Sequence, residues 1–307
     1  MANDPDSVFF LHGLALASGL TLTQLTDLTE GLNTEQVRGY SAGHTHPMFT
    51  GLTAQAPAFP FTTRQLAGFL GACSMNGLAQ SGNCDLLFRK GKLNDEREAL
   101  AGTVHQRVRA TGGYLYWDQV GASGNAPAEA SGRFIPTYDG TNAILVPTGS
   151  VAATAITPQA AEQFKLGPVK INGTFLAGVQ SWSLSTNPAV VPEFASGVVW
   201  PGWCGLDETD PVLTITTRRK ESLVDYGVLG TVISSLVFYL RRIQIGAGPY
   251  GDGSSQHLKF TAGGGMVIYD GSQSGGNQKA ACTIMIRLHS TDPAVLPVTV
   301  ATAQTIT

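Results

Sequence analysis

The sequence predicts a mainly β protein, an antiparallel sandwich or barrel with one or two short helices and long loops. Three observations carry that expectation. Segments in which apolar and other residues alternate with period two recur along the chain, each bounded by turn residues. Glycine and proline number 37 and 16 among 307 residues, as short strands joined by tight turns require, because glycine supplies positive φ and proline presets a turn dihedral. Charged residues make up only 13% of the chain, about half the share usual in a globular domain. A protein that hides much of its surface against neighbours needs fewer charges, so the composition leans towards an oligomer.

No internal repeat or clean linker divides the chain, and residues 1–307 read as a single β domain with inserted loops and extended termini. In chain order, 63–71 is a short helix candidate, with Leu66 and Leu70 four residues apart. Residues 121–132, rich in Gly, Ala and Ser, read as a flexible loop. The apolar run 143–146 is strand-like, and 157–166 is another helix candidate with Pro158 at its first position. Two strands, 179–184 and 212–217, flank the connection 185–211, which holds Pro188, Pro192, Pro201, Trp200, Trp203 and Cys204. So long a connection is not passive in a compact domain, and an aromatic, proline-rich one is sticky unless it docks on something. Residues 219–226 have room for about two helical turns, and 236–245 read as a long strand followed by the turn-rich loop 246–256. The alternation Cys282, Ile284, Ile286, Leu288 marks the clearest strand. With the apolar runs 258–260 and 266–269 it reads as a C-terminal hairpin carrying the loop 270–278. The last residues, 297–307, form an extended arm.

The formal net charge of −3 and pI near 6.1 disfavour tight nucleic-acid binding, which needs clustered Lys and Arg. The densest basic cluster, Arg218, Arg219 and Lys220, is followed at once by Glu221. Cys73, Cys84, Cys204 and Cys282 show neither a C-x-x-C pair nor metal-ligand spacing and are expected to be free thiols in a reducing compartment. Asp4 and Asp6 stand where a secretory leader would be basic, and the greasy stretch 226–240 is too short to span a bilayer. Without a leader, the acceptor triplet at Asn172 carries no glycosylation reading.

Each chemical motif lacks its confirming context. Gly39 to Gly43 matches the G-x-S-x-G elbow around Ser41, but the preceding residues are too polar for a buried strand, and Pro47 forbids a helix there. His44 and His46 could share one face of a strand, yet no third metal ligand is evident. Gly246 to Gly251 spells G-x-G-x-x-G, but more turn residues follow where a helix N-terminus should meet a phosphate. Asp207, Glu208 and Asp210 lack a calcium-loop pattern and read as a solvated loop tip. No catalytic residue, metal or cofactor is expected.

Residues 171–300 resemble the major tail tube proteins of long-tailed, siphovirus-like bacteriophages. The likeness lies in the order of elements: a strand over 178–184, a long loop, a strand over 211–217, a short helix near 220–226, then 230–241 leading into a strand. The segment 258–265 and the alternating strand from Cys282 follow. Residues 61–66 and 143–146 are similar more loosely. The resemblance implies a β-sandwich with a flanking helix, six copies of which form a ring whose inner sheets join into one barrel. Rings stack into a tube that conducts DNA at ejection. It also implies that the terminal segments and the loop 185–211 contact neighbouring subunits, with Trp182, Pro192, Trp200, Trp203 and Tyr226 as candidate interface residues. The partners implied are further copies of the chain, other tail proteins and phage DNA passing through without specific binding, in the virion tail and, during assembly, the host cytoplasm. No membrane is involved. The chain is larger than minimal members of that family. Competing readings are a distal tail or baseplate ring protein, a carbohydrate-binding sandwich using Trp182, Trp200, Trp203 and Tyr250, and an esterase using Ser41.

Overall fold

The computed structural model describes residues 7–29, 31, 33–39, 42, 45–92, 102–152, 162–219, 229–244, 246–273, 281–290, 292 and 294–307. The chain is mainly β, and every strand pairing is antiparallel. The 19-residue strand β8 (His105–Ser123) organises the larger, 13-stranded sheet. β7 (Leu78–Lys92) and β13 (Val179–Ser185) run along one of its edges, β9 (Glu129–Pro136) and β10 (Val146–Val151) along the other. A bulge between Trp117 and Gln119 lets Trp117 and Val120 both enter the core. Beyond β13 follow β16 (Val212–Thr217), β21 (Ala281–Leu288), β20 (Gly265–Gln273) and β17 (Val232–Ile233); beyond β7 follow β1 (Ser7–Ala15) and β2 (Thr21–Leu22). β6 (Phe59–Thr63) joins β9, and β3 (Leu25–Leu28) joins β6.

A second sheet orders β12 (Thr174–Phe175), β11 (Phe164–Ile171), β18 (Leu236–Arg242), β19 (His257–Ala262) and β22 (Val298–Gln304). Its inward side chains share one apolar core with those of the larger sheet. Period-two alternation places Leu213 and Ile215 of β16, Ile284 and Ile286 of β21, and Leu236, Phe238 and Leu240 of β18 in that core. At its centre the Trp182 ring meets Phe238 and Phe260 edge-on at 4.8 and 5.4 Å, while those two rings stack at 4.9 Å. Each aromatic buried this way contributes about 1.5–3 kcal/mol. Two facing sheets are what the predicted sandwich requires.

α1 (Leu66–Ala72), the one helix among the described residues, begins three residues later than expected and buries Leu66, Phe69 and Leu70. Gln65 anchors its start: the side-chain Nε2–H donates to Thr21 O at 2.8 Å and Oε1 accepts from Thr23 N at 3.0 Å. Two glycines let the long strands approach. A Cβ at Gly113 would strike the Phe134 ring, and one at Gly132 would lie 2.6 Å from Tyr116 O.

Several expectations need correction. Residues 121–132 are not a flexible loop: β8 runs to Ser123 and β9 starts at Glu129, with Gly124 at φ +50° in the short turn between them. Small residues there allow close strand packing, which reads like mobility in a bare sequence. The connection 185–211 is largely a hairpin of β14 (Ala189–Phe194) and β15 (Pro201–Glu208); its prolines are tolerated because each strand has a free edge or a first position to put them in. The run 143–146 is not a strand, since β10 begins only at Val146. The helix over 157–166 fails at its end, where Phe164 opens β11; its residues 157–161 lie outside the described residues. The strand from Leu236 ends at Arg242 rather than 245. Residues 258–260 pair in the second sheet, not with Cys282, and β20 continues to Gln273, so the loop 270–278 is shortened, with 274–278 outside the described residues. The C-terminal arm is an integral strand of the chain's own sheet: β22 pairs with β19, and Thr307 O accepts from Tyr239 Oη at 3.2 Å. The helix at 219–226 falls on residues of which 220–226 lie outside those described. Among the described residues no helix is long and apolar enough to cross a membrane.

Candidate functional site

Two hairpins stand apart from the main sheets, each a two-stranded sheet of its own. One is β14–β15. Its inner side lays Val190, Cys204 and Leu206 on Tyr114, Tyr116 and Ile135, on the outer face of the larger sheet. Alternation then turns Val191 and Trp203 to the opposite side, where Trp203 is 54% exposed, and Phe194 is exposed where the register shifts after Glu193. The Trp203 ring lies over Gly205, where any Cβ would collide with it. The base is tied down by Tyr138 N–H donating to Pro201 O at 2.7 Å.

The second hairpin pairs β4 (Thr34–Gly39) with β5 (Phe49–Gln55). None of its described residues is buried, and it exposes Val37, Met48 and Leu52. Gln55 joins the two hairpins: its N–H donates to Val199 O at 2.7 Å, and its Oε1 accepts from Trp200 Nε1 at 3.0 Å. Of the fourteen large apolar side chains exposed among the described residues, six lie on these hairpins. Exposed apolar side chains are thus concentrated on these hairpins among the described residues.

The sequence-predicted interface residues divide. Trp203 is on the exposed side of β15, and Pro192 is half-buried on β14 opposite Cys204. Trp200 is half-buried, its ring 5.1 Å from Tyr138. Trp182 is corrected: at 1% exposure it is a core residue, because inward alternation on β13 places it between the sheets. Tyr226 lies outside the described residues. With Trp182 buried and Trp200 packed on Tyr138, the four aromatics considered for sugar stacking form no common platform. Phe194, Val191, Met48 and Leu52 escaped the sequence reading. For Val191 the signal was alternation inside the connection 185–211, Val190 in and Val191 out.

The chemical motifs fall elsewhere. Ser41 and His44 lie outside the described residues, at the tip joining β4 to β5, and His46 is exposed. The strand before that tip belongs to an exposed ribbon, not a buried sheet. No three His, Cys, Asp or Glu side chains converge as metal ligands among the described residues. Asp207 and Glu208 end strand β15 rather than occupying a loop tip, and Asp210 pairs with Arg287 at 3.0 Å. Residues 246–251 lie in the loop between β18 and β19. All four cysteines are free and buried; burial pushes Cys73 up to about 12 and Cys204 up to about 11. Asn172, at positive φ, accepts through Oδ1 from Ser234 N, Ser234 Oγ and Ser235 N.

Beside the β14–β15 hairpin, the rest of the outer sheet face is lined by small hydroxyl residues. Ladder register aligns Gly121, Ser183, Thr214 and Met285 in one row, and Ser123, Ser181, Thr216 and Thr283 in the next. Part of it is a concave surface of about 430 Å³ that includes Thr62, Gln119 and Ser131. The charges at its margin are neutralised in pairs, Glu129 with Arg64 at 2.7 Å, Asp118 with Arg133 at 3.1 Å, and Arg287 with Asp210. No protein-family model matches this chain, and no curated protein matches its sequence.

Proposed function

We propose that the chain is a structural, non-enzymatic subunit of a phage tail, associating with copies of itself into stacked rings that form the tail tube. The observation that carries this reading is the pair of hairpins on which the chain leaves Val37, Met48, Leu52, Val191, Phe194 and Trp203 uncovered. An isolated two-stranded hairpin is marginal in water, and two that between them expose Phe, Trp, Met and Leu gain by docking on a neighbour. The resemblance of residues 171–300 to tail tube proteins supplies the identity of that neighbour as another copy.

The hydroxyl-lined sheet face supports a role as conduit wall. DNA carries a phosphate at every step, and unpaired Lys or Arg on the wall would hold it through counterion release. A face of Ser and Thr, with its marginal charges paired, offers DNA little to grip. Other tail proteins cap the tube at its ends, and the virion tail is the site of action. The same association, closed as one ring, describes the distal tail or baseplate reading.

Negative-stain electron microscopy of the purified chain, with mass photometry on the same sample, tests the proposal. Hollow tubes are the expected result; closed single rings favour the baseplate reading. A monomer of 32.2 kDa at every concentration, in the presence of the other tail proteins as well, overturns both.

A further inference from the structure

One end of the larger sheet gathers buried nitrogens that have no partner. His12 sits at the β1 bulge, where the register shifts between Leu11 and Gly13. His105 opens β8 and is 3% exposed. Its Nδ1 accepts the Lys90 N–H at 3.1 Å, and a neutral imidazole that accepts at Nδ1 carries its hydrogen on Nε2. That Nε2, the Nε of Arg89 and the Nε2 of His12 are all buried and unpartnered. All three residues line one small cavity of about 10 Å³, closed by Leu87, Phe88 and Val151. That volume suits a single water-sized species.

Unpaired buried polar atoms are uncommon in folded proteins, and their convergence on one cavity points to a ligand. Arg89 adds a permanent positive charge, and no carboxylate pairs with it among the described residues. The nearest acid on the same strand, Asp85, is engaged by Arg109 at 2.6 Å and lies 3.8 Å from Arg107. We propose that this cavity binds one monatomic anion, chloride or another halide, held by the N–H groups of His105 Nε2, Arg89 Nε and His12 Nε2. The fixed donors, Arg89 Nε and His105 Nε2, and the charge of Arg89 favour an anion over water, whose two hydrogens would need acceptors of their own. Burial, then the neighbouring Arg89 and His105, hold the His12 pKa below its ordinary value. His12 is therefore held neutral, donating to the ion as its Nε2–H tautomer, and Arg89 alone balances the anion's charge. Bound there, the ion ties together β1, β7, β8 and β10, and it stabilises the folded chain because it binds nothing comparable in the unfolded one.

This inference is independent of the assembly reading and is tested on the single chain. Thermal unfolding is compared in sodium chloride, sodium bromide and sodium gluconate at equal ionic strength, for the wild type, Arg89→Met and the exposed-site control Arg218→Met. Halides are expected to raise the midpoint over gluconate by about 2–4 °C in the wild type and the control, and not in Arg89→Met. Wild-type crystals soaked in bromide are expected to show an anomalous peak between Arg89 and His105. Equal wild-type midpoints in all three salts, or an ordered water without anomalous signal in the cavity, overturns the proposal even if Arg89→Met does not fold.

Discussion

Trp203 illustrates how one side chain can matter to assembly and little to folding. It is more than half exposed on the outward side of β15 and lies outside the two buried apolar clusters, so truncating it opens no core cavity. Trp203→Ala is expected to shift unfolding free energy by less than about 1 kcal/mol while abolishing or strongly weakening self-association, read by mass photometry across a dilution series. Equal loss of stability and association would place the ring in the fold instead. Cys73 is the opposite case. Its thiol is fully buried, donates to Leu115 O at 3.5 Å and is pushed up to about 12. In the unfolded chain the thiol ionises near its ordinary value of 9.0, so above that pH the unfolded state holds fewer protons than the folded one. The contribution is complete below about pH 9 and is lost as pH rises towards 12, at about 1.4 kcal/mol per pH unit. Denaturant midpoints at pH 8, 9 and 10 are expected to fall more steeply in the wild type than in Cys73→Ala. Tyr114 and Tyr116, both raised to about 12 chiefly by burial, add to the alkaline fall in both proteins.

At the scale of elements, the two hairpins differ in how they are anchored. β14–β15 covers Tyr114, Tyr116 and Ile135, so removing it uncovers part of the main sheet. β4–β5 buries none of its described residues and is tied to the other hairpin through Gln55. Replacing residues 34–55 by a short glycine-serine turn, which leaves the Gly31–Ala58 bridge to close the chain, is therefore expected to change the thermal midpoint by no more than about 2 °C. The same change is expected to prevent tube growth in electron micrographs. A large drop in the midpoint would show that the hairpin stabilises the monomer rather than serving a neighbour. Legibility in the sequence followed the same division. Strands such as β16 and β21, buried on one face, advertised themselves by alternation. The β14–β15 hairpin did not, because prolines and exposed aromatics mask period two in a ribbon with no deep core beneath it. The α1 helix showed through Leu66 and Leu70, whereas the end of the 157–166 candidate is strand, because Phe164 found a partner in β18.

For the whole molecule, the sparse charge of the chain bears on how an assembly is held together. The contacts that we assign to the hairpins rest on Val37, Met48, Leu52, Val191, Phe194 and Trp203, so association is expected to persist in 1 M sodium chloride, where the Debye length is about 3 Å. Sulfate is expected to strengthen it, since excluded salts favour apolar burial. Sedimentation velocity at 0.1 and 1 M salt measures this; dissociation at high salt would assign the contacts to ion pairs instead.

The sequence by itself determined the mainly β, antiparallel class, the positions of β13, β16, β18, β19, β20 and β21, the loop 246–256 and the free state of the cysteines. Local alternation and turn chemistry dictate these, and both are written residue by residue. Only the tertiary structure decided which aromatics are buried and which exposed. Trp182 and Trp203 look equivalent in the sequence, yet one lies between Phe238 and Phe260 and the other over Gly205 at the surface. The convergence of His12, Arg89 and His105 was equally hidden. Burial depends on which strands face each other across a sheet or between sheets, and those partners are far apart along the chain.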